Sequence, residues 1–277
     1  MFLQIINHGV SSSLLEKVKS GIQELFNMDM EEKKKYCQGQ GEGEVEGFGQ
    51  GFVISEEQKL DWGDMFGLIT LPTYLRKPHL FPRLPLPLRD NLEAYSTELK
   101  DLTKKILDQM AKALRMESND MRCVFEEGMQ SMRMNYYPPC PQPELAIGLT
   151  AHSNASGLTI HLQLNEMEGL QVRKDGTCIP VKPLPNAFII NIGDVLEIVT
   201  NGIYCSIKHR ATMNSEKERL SIATFLSPKL KGDFGPAPSL LNAESPALFK
   251  RIGAIDYLKG FLSHKLDGKS YIDAMRI

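Results

Sequence analysis

The chain is short of everything that would mark a disulfide scaffold, a zinc-thiolate protein or a membrane protein. It has one tryptophan, and its five cysteines are an odd number with no Cys-x-x-Cys pair. That excludes a disulfide framework and a zinc site as first readings and favours reduced thiols in the cytoplasm. No apolar run approaches the ~18 residues that span a bilayer, so no membrane association is expected. Neither sign of charge is in excess. Against 34 Asp and Glu stand 32 Lys and Arg, and a net charge of −2 exerts no pull toward nucleic acid. The Gly-rich stretch from Gly39 to Gly51 lacks the Gly-x-Gly-x-x-Gly order and no helical pattern follows it. It reads as a loop, not as a nucleotide cradle.

What is present suits one large domain: 277 residues, 42% hydrophobic, with no internal repeat. Phe2 to Val10 has a strand pattern that ends in a turn signal. A chain seldom starts inside a core strand, so a truncated N-terminus is expected. Ser11 to Phe26 carries Leu14, Val18, Ile22 and Leu25 at helical spacing, with serines placed to cap it. Leu60 to Leu71 reads as strand, and the proline-rich stretch from Pro72 to Pro87 as an extended surface connection. Leu88 to Leu114 is the longest periodic segment, with Leu88, Leu92, Tyr95, Leu99, Leu102, Ile106, Met110 and Ala113 in one stripe. Such a stripe predicts a helix backing a sheet.

From Gln130 the period changes to two. Arg133, Asn135 and Tyr137 fall on one strand face and Met132, Met134 and Tyr136 on the other. Short strands follow at 157–164, 170–173, 178–181, 187–192, 195–200, 203–209 and 220–226, separated by Asp175-Gly176, Gly193-Asp194 and Asn201-Gly202. Many short strands with such turns predict a sandwich or jelly roll, and the segment from Ser245 returns to a weak helical pattern.

Chemistry concentrates between Gly148 and Ser221. Alternation puts His152 and Asn154 on one face, a pair able to grip an ion. A hairpin at Asn201-Gly202 would bring His209 back along Val195 to Thr200, opposite His152. Without a bulge, Asp194 would then pair with His209 and touch it from behind; the plainer expectation is an Asp that stabilises the turn after Gly193. Arg219, Ser221, Ala223 and Phe225 share one face of the last strand, where an Arg fork and a hydroxyl suit a buried carboxylate. Tyr137 and Asn135 are placed to complete that pocket. His161, between Thr159 and Gln163, reads as a satisfied core or surface histidine, and His8 and His79 lie in turn-like settings.

Taken together, Asn135 to Pro143, Gly148 to Thr159, Asn191-Ile192-Gly193-Asp194, Thr200-Asn201-Gly202, His209-Arg210-Ala211 and Arg219-Leu220-Ser221 resemble a plant 2-oxoglutarate- and Fe(II)-dependent dioxygenase of the isopenicillin-N-synthase-like superfamily. Gln58 to Asp64, Arg76 to Phe81 and Lys265 to Ile277 carry a narrower likeness to the alkaloid O-demethylases acting on thebaine and codeine and to the norcoclaurine-synthase-like group. The resemblance covers essentially the whole chain, and implies several tens of further residues before its start. It implies a mainly β fold with flanking helices and a double-stranded β-helix (jelly-roll) core. Residues 1–129 would be a partial N-terminal region, 130–230 the core and 231–277 a helical tail. Carried over by position, His152 and His209 would ligate Fe(II). Arg219 and Ser221 would hold the distal carboxylate of 2-oxoglutarate, with Tyr137 assisting and Asn135 shaping the pocket, and Phe225 would face the organic substrate. The implied reaction hydroxylates or O-demethylates a small plant metabolite, such as an alkaloid, with ascorbate as stimulant and the chain acting as a monomer.

One residue departs from the pattern. The mononuclear iron triad takes two histidines and one carboxylate, and Asn154 stands where the carboxylate belongs. A neutral amide oxygen leaves the ion's charge unanswered by protein. Three readings follow: weakened iron binding with 2-oxoglutarate supplying the anionic charge, a catalytically dead relative that keeps the fold and a small-molecule pocket, or an Asn154 that arose by a one-base change or sequence error. A non-oxidative condensing activity of the norcoclaurine-synthase kind stands as a further functional alternative.

Overall fold

The computed structural model describes residues 1–37, 39, 46–49, 61–263 and 270–277. Two antiparallel sheets face each other. The larger has seven strands in the order β1 (Phe2–Ile5), β9 (Phe188–Ile192), β6 (Leu158–Gln163), β11 (Arg219–Leu226), β4 (Gln130–Tyr137), β3 (Asp64–Leu71) and β2 (Gly47–Gly49). The smaller runs β5 (Leu149–His152), β10 (His209–Ala211), β7 (Leu170–Lys174) and β8 (Thr177–Pro180). This is a double-stranded β-helix with helices on one side. The α-helices among the described residues are α1 (Ser12–Asn27), α2 (Met30–Lys34), α3 (Leu86–Ala113), α4 (Ser118–Phe125), α5 (Asp194–Val199), α6 (Ala254–Ser263) and α7 (Ser270–Asp273).

The core lies between α1, α3 and the outer face of the large sheet. Leu88, Leu92, Tyr95, Leu99, Leu102 and Met110 of the expected stripe are buried, while Ile106 is only partly covered and Ala113 is exposed. Over 28 residues the stripe drifts, and Leu107 and Ala111 take over near the end. Met132 and Met134 point into this core. The alternate residues of β4 therefore face the inside of the barrel.

Several expectations fail for local reasons. β1 is an edge strand of the large sheet, not a central one. No serine side chain caps α1, because the Ser11 hydroxyl turns to Ser13 at 2.9 Å. The segment after Pro72 forms two 3-10 turns and buries Leu80, Phe81 and Leu84, so it is not a surface connection. Gly47 to Gly49 is strand β2, and the rest of the Gly-rich stretch lies outside the described residues except Gly39 and Glu46.

The largest correction concerns the hairpin. Val195 to Thr200 is not a strand but the body and C-cap of α5, whose six residues are all buried. Val195-Leu196 and Ile198-Val199 flank a single Glu197, a pattern too short for its period to separate helix from strand. Asn201 and Gly202 take positive φ (50° and 81°) and close the helix, with the Gly202 N–H donating to the Glu197 carbonyl at 2.8 Å. Consequently 203–209 is not a hairpin arm, and Asp194 does not pair with His209. Its carboxylate accepts the Ser153 hydroxyl at 2.8 Å from the first turn of α5.

The N-terminus of α5 clasps the turn that follows His152. The Gly193 N–H donates to Gly157 O at 2.9 Å, Asp194 N–H to Asn154 O at 2.7 Å and Val195 N–H to Ser156 O at 3.2 Å. These are helix-terminal donors that would otherwise lack partners. The approach requires glycine at 193, since a Cβ there would lie 2.0 Å from Ser156 O. Gly193→Ala should cost about 3 kcal/mol or more through this backbone clash. Gly176→Ala, in open space at φ +79°, should cost only about 1 kcal/mol. Thermal melts of the two variants against the parent chain check the difference.

Candidate active site

The barrel interior is a cavity of about 70 Å³. Side chains reach it at every second position of β4, β6 and β11, because the register between these strands does not slip. Arg219 lies opposite Tyr137, Ser221 opposite Asn135 and Gln163, and Ala223 opposite Arg133 and His161. His152, at the end of β5, pairs directly with His209, at the start of β10. All eight residues singled out from the sequence (Asn135, Tyr137, His152, Asn154, His209, Arg219, Ser221 and Phe225) line this one cavity.

The two histidine rings lie 4.5 Å apart between centroids. Each engages a carbonyl two residues back: His152 Nδ1 with Thr150 O at 2.7 Å, His209 Nδ1 with Ile207 O at 3.2 Å. A carbonyl only accepts, so Nδ1 carries the proton and Nε2 keeps its lone pair. Metal-ligating histidines are oriented in this way. Burial pushes the His152 pKa down to about 4 and holds that of His209 well below the usual range, the latter with the neighbouring His152 as a further cause. Both rings are therefore neutral near pH 7 and available to an ion.

Asn154 lies just beyond the end of β5, in the turn clasped by α5, so it shares the cavity with His152 without sharing its strand. Its Nδ2 donates to Thr159 Oγ1 at 2.8 Å, and its neutral Oδ1 is the only oxygen it can offer an ion. Among the described residues no three of His, Cys, Asp and Glu converge as a metal site. The donor set thus fits a first-row divalent ion at two positions and meets it with an uncharged oxygen at the third.

Arg219 is 3% exposed. One terminal nitrogen donates to Gln163 Oε1 at 2.8 Å and lies 3.3 Å from His161 Nε2, and the other reaches Ser221 Oγ at 3.5 Å. The guanidinium stacks 5.4 Å from the Tyr137 ring, and Nε has no partner. No carboxylate answers this buried charge among the described residues. Burial drives its pKa down and that of the Tyr137 hydroxyl up. A buried unpaired cation is costly, and a ligand carboxylate at this point would relieve it. This end of the cavity therefore fits a ligand carboxylate.

Sequence reasoning passed over several lining residues. His161 is neither a plain core nor a surface residue: it lies against Arg219, and burial, then the guanidinium, push its pKa down to about 3. The shared odd-numbered face with Thr159 and Gln163 was the available signal. Arg133 and Asn191 also line the cavity, and the Asn191 Oδ1 is buried without a partner. Asn191 sits on β9, whose continuous apolar surroundings show no alternation to reveal which way it faces.

With this geometry in hand, comparison with known proteins is direct. The family model described as "2OG-Fe(II) oxygenase superfamily" matches residues 128–228, and that described as "non-haem dioxygenase in morphine synthesis N-terminal" matches residues 2–84. The chain is 59% identical over 276 residues to the oxoglutarate-dependent flavonoid 7-O-demethylase 1 of Ocimum basilicum, covering 100% of this chain and 74% of that protein. It is 56% identical over 280 residues to thebaine 6-O-demethylase of Papaver somniferum, covering 100% and 76% respectively. A crystal structure of JOX2 in complex with 2OG, Fe and JA superposes with a TM-score of 0.92 at 35% identity, covering 100% of this chain and 82% of that one. The neutral-histidine pair, the unanswered arginine and these likenesses lead to one conclusion: the chain belongs to the 2OG-Fe(II) oxygenase superfamily.

Proposed function

We propose that the chain is an oxidoreductase that binds 2-oxoglutarate and Fe(II) and hydroxylates or O-demethylates a small plant secondary metabolite, a flavonoid or an alkaloid. The observation that carries this reading is Arg219, a buried guanidinium held by neutral partners and aimed at the same cavity as two neutral histidines. His152 and His209 would hold the ion, with Asn154 as the third, uncharged donor. Arg219 and Ser221 would take the distal carboxylate of 2-oxoglutarate, Tyr137 packs on the guanidinium, and Asn135 shapes the wall between them. Phe225 would face the organic substrate. All of these fall within 130–230, the segment read as the core. When bound, iron and 2-oxoglutarate would supply the means to activate O₂, one oxygen atom passing to succinate as CO₂ is lost and the other to a substrate C–H bond; a methoxy carbon so hydroxylated would leave as formaldehyde, its oxygen staying on the substrate as a hydroxyl. The protein's part is to hold both partners in one buried cavity and to keep both histidines neutral. The cytoplasm is the proposed compartment, supported by five free cysteines. Among the described residues no helix is long and apolar enough to cross a membrane.

Asn154 supports a second reading, that of a small-molecule binding protein without turnover. The two readings separate on one substitution. Thr159 Oγ1, which accepts from the Asn154 amide, can equally donate to a carboxylate, so Asn154→Asp should fold as the parent does. It should raise Fe(II) affinity at least about tenfold, measured anaerobically by calorimetry with 2-oxoglutarate present. Succinate is then assayed with Fe(II), 2-oxoglutarate and ascorbate. Release by the parent chain supports the enzyme, whereas release by Asn154→Asp alone supports the binding protein. Unchanged iron affinity would sink the assignment of position 154.

Arg219→Gln is expected to move affinity and stability in opposite directions. Loss of a charge-assisted hydrogen bond should cost about 2 kcal/mol of 2-oxoglutarate binding, roughly 30-fold in Kd. Removing an unanswered buried charge should leave the ligand-free melting temperature equal or higher. A lower melting temperature with unchanged 2-oxoglutarate affinity would make Arg219 a structural residue.

A further inference from the structure

One row of side chains crosses the large sheet from its β1 edge inward. Phe2 of β1 lies opposite Asn191 of β9, Asn191 opposite Thr159 of β6, and Thr159 opposite Phe225 of β11. Partners across an antiparallel ladder share a face, with Cβ atoms about 4.5–5.5 Å apart. All four residues accordingly line the cavity. Asn191 is the orphan of the row. It is 3% exposed, and its Oδ1 has no hydrogen-bond partner among the described residues. Leaving a buried acceptor unsatisfied costs about 1–3 kcal/mol, so an electrophilic partner for this oxygen is expected inside the cavity.

The neighbours of Asn191 say which end of the cavity it serves. On one side Phe2 sets its ring against His209, with 5.5 Å between centroids and 62° between planes. On the other, Thr159 Oγ1 accepts the Asn154 amide at 2.8 Å. Asn191 is thus one neighbour away from a histidine and one neighbour away from residue 154. Its backbone is tied to the same place, because Gly193 and Asp194 clasp the turn that bears Asn154. The anion-binding end is remote from this row: Phe225 lies six residues along β11 from Arg219, about 20 Å of strand.

We propose that Asn191 Oδ1 is a further protein donor to the ion, beside His152, His209 and Asn154. The site then meets its metal with two imidazoles and two uncharged amide oxygens. Carbonyl oxygens are suitable donors to hard divalent ions, and an ion would give this one the partner that the protein does not. The inference rests on the proposed function and deepens it: where the chain offers no carboxylate, a second neutral oxygen shares the load.

The test reads metal binding without turnover. Co(II), whose visible absorption reports its ligands, is titrated by calorimetry into the metal-free full chain and its variants. Asn191→Leu removes the oxygen at similar volume. It should weaken Co(II) binding at least about tenfold, while the metal-free melting temperature stays equal or rises, since a buried unsatisfied group is gone. Asn191→Asp adds a charge at the same place. It should tighten Co(II) binding at least about tenfold and shift the Co(II) absorption. Unchanged Co(II) affinity in Asn191→Leu makes the residue structural and overturns the proposal. If Asn191→Leu fails to fold, Asn191→Asp decides: unchanged affinity overturns the proposal, and so does a gain with an unshifted spectrum, which places the carboxylate near the ion but not on it. Binding that Asn154→Asp strengthens and neither variant at 191 alters removes this proposal and leaves the proposed function standing. Absence of binding by the parent, Asn154→Asp and Asn191→Asp chains alike counts against the proposed function itself, and this inference falls with it.

Discussion

The antiparallel register of β11 on β4 is the constraint on which the site depends. It runs without a slip from Arg219 opposite Tyr137 to Leu226 opposite Gln130. In a strand pair the side-chain period is two, so this register sends Ile222, Met132 and Met134 to the helical side and Arg219, Ser221, Asn135 and Arg133 to the cavity. A shift by one residue would drive guanidiniums into the core and leucine into the cavity. The apolar contacts of α3 with the back of the sheet therefore do more than stabilise the fold. They fix which residues can be chemical, because only the alternate positions are released from packing.

Within the cavity, the two halves of the site are made differently. The anion half is assembled on the flat of the large sheet from β4, β6 and β11, whose ladders hold it rigid. The proposed metal half sits where the short strands β5 and β10 meet, with Asn154 in the turn beyond. The first half stores unfavourable energy in a charge that no carboxylate among the described residues answers. The second holds two imidazoles in their neutral form by depriving them of water. Each half is thus poised by what it lacks, and a dianionic ligand bridging to a cation satisfies both.

Much of this arrangement was legible in the sequence, for identifiable reasons. The change from a 3.6 period over Leu88 to Leu114 to a period of two from Gln130 marks the backing helix and the sheet. The alternation of Arg133, Asn135 and Tyr137, and of Arg219, Ser221 and Phe225, gives the cavity face directly. Where burial is complete, alternation vanishes and so does the signal: Asp194 to Val199 is buried all round and reads as a strand when it is a helix. Asn191 is hidden for the same reason, on a strand covered on both faces. His161 illustrates a different limit. Its face was legible, but its neighbour Arg219 is 58 residues away in sequence, and only the pairing of β6 with β11 brings the two together.

The bonds that the N-terminus of α5 makes to Asn154, Ser156 and Gly157 run between main-chain groups, with the Asp194 carboxylate on the Ser153 hydroxyl beside them. The position of residue 154 is consequently dictated by Gly193 and by helix-end geometry, not by the side chain it bears. The place of a ligand and the identity of a ligand are separate inheritances in this barrel: one is written in the backbone, the other in a single amide. A lineage can exchange an oxygen for an NH₂ there, and exchange it back, while every strand stays where it was. The scaffold keeps position 154 at the cavity whatever residue occupies it.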